Sequence, residues 1–428
     1  MLKSINNSVL DELKRQNPWW QDPPAAPLVS KVKRDLFSLL KERILHRELI
    51  TSLIGLRRVG KSTLLFQIIE EMFHDNVDPK SILYFSFEEL PGRDLGDALK
   101  GIIDHQIDQN LQKKSYLFLD EIQYVNNWNS ILKHYFDLYP QLKFTITGSA
   151  SLFIGTSAHE SLAGRIQELV LRPMGYGEYL RLNSKENTSE HFMQYLAWGE
   201  FPYLEKLPDW AEKKEYVNEF IMKKVVENDL PRLKKVYGHD LYHLLNMVIA
   251  RPGQQIEIQN LALDIGISQN TVREYLSLLE KTNLISQLFN VGIGFRTRSV
   301  RQRKIYSWSV NSVVLKSFQG LNSDLWQRDM GLIVETFVHN YLLRTGNELF
   351  FWRQRQIKEV DFIQVLPEGK FPIEVKYQNE IRPNDLQNLV YYCKKEHLKK
   401  AMVITKNEDK IVDLEGVEIV FRPATQLL

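Results

Sequence analysis

Short apolar runs alternate with amphipathic stretches along the first part of the chain. Runs of β-branched and aromatic residues predict strands over 49–54, 82–87, 116–119 and 144–147, with a last one over 166–171. Helical stretches lie between them, beginning near Lys61, Asp94, Trp128 and Ala150. Repeated strand–helix units with short apolar strands predict a parallel sheet covered on both faces, so residues 31–177 read as an α/β domain. Beyond it the pattern changes. Residues 178–240 read as charged helices without catalytic spacing, a helical lid. Residues 241–310 give short helices and then a basic, strand-rich stretch. Residues 325–428 open with a helix and continue in strands over 348–352, 359–365, 371–376 and 401–405. The leader, residues 1–30, carries a short amphipathic helix (Val9, Leu10, Leu13), then Asn17-Pro18-Trp19-Trp20 and a proline-rich stretch to Pro27 that forbids a regular element. The two tryptophans are expected to pack this leader onto its own domain.

A length of 428 residues fits two to four such domains. The net charge of +2 assigns no partner, so any nucleic-acid surface has to be a local patch. The single cysteine, Cys393, excludes an internal disulfide framework or a cysteine-rich metal site; it lies in a helix-like run and is expected to be buried packing. No apolar run is long enough to span a bilayer, and the first residues lack the apolar core of a signal peptide. The expectation is a cytoplasmic protein with no membrane partner.

The chemistry begins at Gly55-Leu56-Arg57-Arg58-Val59-Gly60-Lys61-Ser62-Thr63, a G-x4-G-K-[S/T] loop between a predicted strand and a predicted helix. Glycines let such a loop wrap phosphates with its N–H groups pointing inward, and the helix N-terminus adds a positive field. Lys61 is expected to reach the β- and γ-phosphates of ATP, and the Ser62 hydroxyl to coordinate Mg²⁺. The strand over 116–119 delivers Asp120 and Glu121, with Asp120 as the acid on the metal side and Glu121 placed to orient the attacking water. Asp120 stands 59 residues after Lys61, with the strand over 82–87 between them. That spacing favours the branch of P-loop NTPases with an additional strand between the two motif strands, which includes the AAA-type ATPases. Thr147 or Ser149 is placed to sense the γ-phosphate; Ser149 or Ser151 equally suits a simple helix cap. Arg165 is a candidate arginine finger acting on a neighbouring subunit, which implies a homo-oligomer, or else an ordinary surface arginine.

Taken in order, residues 55–63, 117–123, 146–151, 162–165 and 173–179 and Gly199-Glu-Phe-Pro202 resemble a family of prokaryotic AAA-type ATPases. The C-terminal domain of that family is related to restriction endonuclease-like folds. The resemblance runs from Asn17 to the end of the chain. Leu56 stands where the family often has proline, and Ser309 and Asn311 stand near positions that usually carry aspartate and glycine.

In the middle region, residues 256–289 read as a winged helix-turn-helix, with Gly266-Ile-Ser268 as the tight turn and Ser268 capping the second helix. In a DNA-binding version Gln269, Asn270 and Arg273 lie near bases or phosphates, and Arg296, Arg298, Arg301, Arg303 and Lys304 grip phosphates. The same module serves as a protein–protein element in other ATPases, and a basic run is often only a solvated face. At the C-terminal end, Glu335 falls on a helix, Asp361 on a strand, and Glu374 and Lys376 on one face of the next strand. Asp361 and Glu374 are placed to converge on one Mg²⁺, with Glu335 approaching from the helix and Lys376 orienting the attacking water. This is the D…E-x-K arrangement of restriction endonuclease-like nucleases; its acids can also serve only to bind a metal or form ion pairs. The sequence thus predicts an α/β P-loop core of AAA type, a helical lid, a winged helix and a nuclease-like α/β domain. ATP and Mg²⁺ are the expected cofactors and DNA the expected partner. The alternative is a nucleotide-dependent switch whose last domain only binds.

Overall fold

The apolar runs of the first half fold as β1 (Ile50–Ile54), β2 (Ile82–Ser86), β3 (Ser115–Asp120), β4 (Leu142–Gly148) and β5 (Ile166–Val170). All pair in parallel, in the order β2-β3-β4-β1-β5. The strand separating the two motif strands β1 and β3 in the sheet is therefore β4, while β2, which lies between them in sequence, forms an edge. The helices of this region are α1 (Asn7–Gln16), α2 (Phe37–His46), α3 (Lys61–His74), α4 (Leu95–Gln109), α5 (Trp128–Leu138) and the short α6 (Ala158–Ser161). The computed structural model describes residues 7–21, 30–88, 95–109, 113–149, 152, 158–226, 238–291, 303–317, 328–354 and 358–428. The proline-rich part of the leader, Ser151 and the basic residues Arg296, Arg298 and Arg301 lie outside them. Among the described residues no helix is long and apolar enough to cross a membrane.

The leader protects the β2 edge. An edge strand exposes N–H and C=O groups that must find partners. Asn17 accepts from the Tyr84 N–H and donates to the Tyr84 C=O, both at 2.7 Å. Gln16 accepts from the Ser86 N–H at 2.7 Å. The Trp19 and Trp20 indoles both donate to the Ile82 C=O, at 3.1 and 2.8 Å. Side chains thus stand in for a missing strand, while Val9, Leu13 and Trp19 are buried.

The described residues form two compact units, one ending at Arg172 and the other starting at Pro173. In the second, α7 (Tyr176–Leu182), α8 (Ser189–Gln194) and α9 (Trp210–Glu215) precede a mixed segment. That segment comprises α10 (Gly238–Ile249), β6 (Gln255–Ile256), α11 (Ile258–Ile265), α12 (Gln269–Lys281), β7 (Ile285–Phe289) and β8 (Arg303–Ser307). Gly266, at φ +80°, ends α11, and the Ser268 hydroxyl caps α12 by accepting from the Thr271 N–H at 3.1 Å. β8 pairs antiparallel with both β6 and β7.

After α13 (Val310–Ser317) and α14 (Met330–Arg344) come β9 (Glu348–Gln354), β10 (Lys358–Leu366) and β11 (Gly369–Lys376), an antiparallel meander. A crossover through α15 (Gln387–Lys395) adds β12 (Lys400–Thr405), then β13 (Lys410–Leu414) and β14 (Val417–Pro423) complete the sheet β13-β14-β12-β11-β10-β9. Apolar residues of α14 pack on one face and those of α15, with the buried Cys393, on the other. The β9–β10 register shifts between Val360 and Ile363, a bulge that re-aims Asp361.

Replacing Asn17 with alanine leaves the Tyr84 N–H and C=O buried without partners. The expected loss is about 1–3 kcal/mol of stability. It is read as a lower thermal midpoint of a truncated chain or of the first transition of the full chain; an unchanged midpoint contradicts the edge-capping role.

Candidate functional site

The C-terminal ends of β1, β3 and β4 bring the two sequence motifs together. Between β1 and α3 the loop turns through Arg58 (φ 67°) and Gly60 (φ 98°), backbone that favours glycine at the second position. At Gly55 a Cβ would sit 2.3 Å from the Leu171 carbonyl oxygen, so only glycine lets the loop start so close to the neighbouring backbone. Val59 is buried and Thr63 lies in the first turn of α3. Arg34, unforeseen from the sequence, donates to the carbonyls of Val59 and Arg172, each at 2.8 Å, and holds the loop from behind.

Lys61 is buried, with its ammonium donating to the Gly55 and Leu56 carbonyls at 3.3 and 3.2 Å and lying 3.5 Å from Glu121. The Ser62 hydroxyl donates to Asp120 at 2.6 Å. Two further hydroxyls reach that carboxylate: Tyr84 donates to Oδ2 at 2.7 Å, and Thr147 donates to Oδ1. Thr147 also accepts from the Glu121 N–H at 3.0 Å, so it couples both Asp120 and Glu121 to β4. Burial also raises the Tyr84 phenol, with Asp120 adding to it, so it stays a donor. Ser62 and Asp120 are a hard-oxygen pair of the kind Mg²⁺ takes, and the residues present fit that ion.

Glu121 follows in left-handed backbone (φ 52°). Burial works to raise its carboxyl, but Lys61, Gln123 and Arg57 outweigh burial and hold it below the ordinary carboxylate range. Gln123 donates to it directly. Arg57 donates to the Tyr124 hydroxyl at 3.2 Å and lies 3.5 Å from Glu88. Ser149 is buried beside this end of β4. Arg165 is elsewhere: its carbonyl accepts from the Ile50 N–H, at the opposite end of β1 from the P-loop. It pairs with Asp137 through two bonds of 2.7 and 3.1 Å.

In the second unit, Gln269 and Asn270 are exposed at the start of α12, and Arg273 donates to both at 3.3 and 2.9 Å. The expectation for Arg303 and Lys304 as phosphate grips is overturned. Both are buried; Arg303 donates to Gln287 at 2.7 Å, and Lys304 forms ion pairs with Glu359, Glu335 and Asp361 at 2.6, 3.1 and 3.5 Å. A strand buried on both faces turns alternate residues inward whatever their charge, and here the inward lysine meets carboxylates.

The C-terminal constellation is brought together. Glu335 approaches from α14 and accepts from the Tyr306 hydroxyl at 2.6 Å. At the β10 bulge the ladder is completed by side chains: Asp361 accepts from the Val375 N–H at 2.9 Å, and Glu374 accepts from the Asp361 N–H at 3.3 Å. Lys376, on the same face of β11 as Glu374, donates to it at 2.7 Å. Burial, with Asp361 beside it, pushes Glu374 up to about 8, and burial pushes Glu335 up to about 7. Burial acts to lower the Lys304 ammonium, but its surrounding anionic groups hold it well above the usual range. Ser309 and Asn311, where the family resemblance departs, enclose the buried Glu200: Ser309 donates to it at 2.6 Å and the Asn311 N–H at 3.0 Å. An aspartate at 309 would face that carboxylate; serine supplies a donor instead.

Comparison with known proteins places these features. Residues 47–180 match an AAA domain family, in line with the P-loop and the parallel five-stranded sheet of the first unit. Residues 189–310 and 330–424 match two domains of unknown function (DUF8612 and DUF4143). The chain is 26% identical over 374 residues to the uncharacterized protein MJ1544 of Methanocaldococcus jannaschii, covering 79% of this chain and 78% of that one. It is 23% identical over 386 residues to an uncharacterized protein of Haemophilus influenzae, covering 87% and 93%. Among solved structures, AMPPCP-bound DnaA from Aquifex aeolicus aligns with 59% of this chain and 89% of its own at 14% identity, with a TM-score of 0.31.

Thr147→Val removes the hydroxyl from Asp120 and the Glu121 N–H while preserving shape. Stability is expected to fall by about 1–3 kcal/mol, with Thr147→Ser close to wild type. Chemical unfolding of the two variants checks this; equal losses would mean that packing, not the hydroxyl, is at work.

Proposed function

We propose that this chain is an ATP-hydrolysing AAA-type protein that acts on DNA. The observation that carries the ATPase reading is the meeting of Lys61, Ser62, Asp120 and Glu121 at one end of the parallel sheet. The P-loop N–H groups and the start of α3 receive the phosphates. Lys61 exchanges two backbone carbonyls for phosphate oxygens. Ser62 and Asp120 would hold Mg²⁺, which would offset phosphate charge. Glu121, kept ionised by Lys61 and oriented by Gln123, accepts the proton of the attacking water.

Arg165 lies at the far end of the sheet from its own P-loop and pairs with Asp137, so as an arginine finger it would act only on a neighbouring copy, and a homo-oligomer belongs to this reading. For DNA, the support is the order of α10, β6, α11, α12, β7 and β8, which is that of a winged helix, with Gln269, Asn270 and Arg273 at the start of its second helix. The D…E-x-K set of Asp361, Glu374 and Lys376 supports a restriction endonuclease-like reading of the last sheet. A second reading, a nucleotide-dependent switch whose last domain binds without cutting, is favoured by the ion pairs that engage those acids.

Lys61→Ala is expected to abolish ATP binding in equilibrium dialysis, and Glu121→Gln to keep binding while losing about 10²–10⁴-fold in turnover. Normal binding and hydrolysis in Lys61→Ala would remove the ATPase assignment. Duplex DNA should raise the steady-state rate; a slow rate indifferent to DNA selects the switch.

A further inference from the structure

The restriction endonuclease-like reading implies a divalent cation between Asp361 and Glu374, and the arrangement of these side chains does not fit one. Each of the two carboxylates is occupied by backbone. Asp361 spends Oδ2 on the Val375 N–H, and Glu374 spends Oε2 on the Asp361 N–H. Their other oxygens face ammonium groups: Asp361 Oδ1 lies 3.5 Å from Lys304, and Glu374 Oε1 lies 2.7 Å from Lys376. Among the described residues no group of three or more histidine, cysteine, aspartate or glutamate side chains is placed to hold a metal ion.

We infer that the Lys304 ammonium takes the place of the divalent cation in this carboxylate cluster and keeps the cluster closed to metal. Lys304 comes from β8, outside the sheet that carries the acids, and only 4% of its side chain is exposed. It is the hub of the cluster, reaching Glu359, Glu335 and Asp361 at 2.6, 3.1 and 3.5 Å. Arg353 and Lys376 close the outer side, pairing with Glu359 at 3.1 Å and with Glu374 at 2.7 Å. Four carboxyl groups therefore meet three cations. A buried carboxylate cluster is tolerated when paired in this way, and adding a divalent ion would require expelling the lysine from a nearly closed site. Tyr306, the second residue after Lys304 on the same strand, donates to Glu335, and its ring stacks on His339 at 4.2 Å between centroids. These contacts fix β8 where the lysine is needed.

The inference rests on the nuclease-like reading only for its consequence on DNA; its metal-binding content stands apart. The test uses the full chain, free of nucleotide, with Mn²⁺ as the probe and electron paramagnetic resonance to count bound ions. Wild type and Asp361→Asn are expected to bind the same number of Mn²⁺ ions. Lys304→Met is expected to gain a site that Lys304→Met/Asp361→Asn lacks. A site present in wild type and lost in Asp361→Asn overturns the inference, and that comparison needs no Lys304 variant to fold. A folded Lys304→Met that gains no site overturns it too. Labelled duplex and single-stranded DNA are then incubated with Mn²⁺ and each variant. Cutting by Lys304→Met alone supports both the inference and the nuclease reading. A gained Mn²⁺ site without cutting supports the inference and removes the nuclease reading.

Discussion

The Asp120 carboxylate is the point on which the first unit turns. Hydroxyls from the P-loop helix, from β2 and from β4 all end on it, through Ser62, Tyr84 and Thr147. A buried carboxylate survives only with such donors, so the residue expected beside the metal also ties three neighbouring elements together. This works because the sheet is parallel: every strand delivers its C-terminal end to the same edge, and β4 lies between the two motif strands. The P-loop opens at that edge, where Gly55 can approach the Leu171 backbone and Gly60 can take the turn into α3. The edge strand that supplies Tyr84 is itself held from outside by Asn17, so the leader contributes to the frame of the site.

The second unit solves a different problem, the burial of several acids in one place. Glu335, Glu359, Asp361 and Glu374 are paired with Lys304, Lys376 and Arg353, and the backbone N–H groups of Asp361 and Val375 bind oxygens of Glu374 and Asp361. Without the carboxylates the Asp361 and Val375 N–H groups would lose these partners.

Features carried by contiguous residues were legible in the sequence. Gly55 to Thr63 and Asp120-Glu121 are local motifs whose flanking strands have the right period, and Glu374 and Lys376 share a face because they are two apart on a strand. Lys304 was not legible. It closes a basic run that reads as solvated, and its partners lie 31 to 57 residues away. Its burial follows from the pairing of β8 with β6 and β7, which no periodicity in a five-residue strand reveals. Tyr84 left a fainter signal, a phenol among Ile82, Leu83 and Phe85 that must find a polar partner once buried. Asn17 left none that a leader rich in proline would have exposed. The additional strand between the motif strands, expected from the spacing of Lys61 and Asp120, is present; that it is β4 rather than β2 is set by tertiary pairing.

Hydrogen exchange of the full chain with and without Mg·ATP tests the central claim most directly, that the Lys61 loop and the Asp120–Glu121 strand end form one nucleotide site. Slower exchange is expected together in peptides covering 55–63 and 120–124, and in neither for Lys61→Ala. Unchanged exchange in both segments at saturating Mg·ATP, or protection that survives Lys61→Ala, would contradict it.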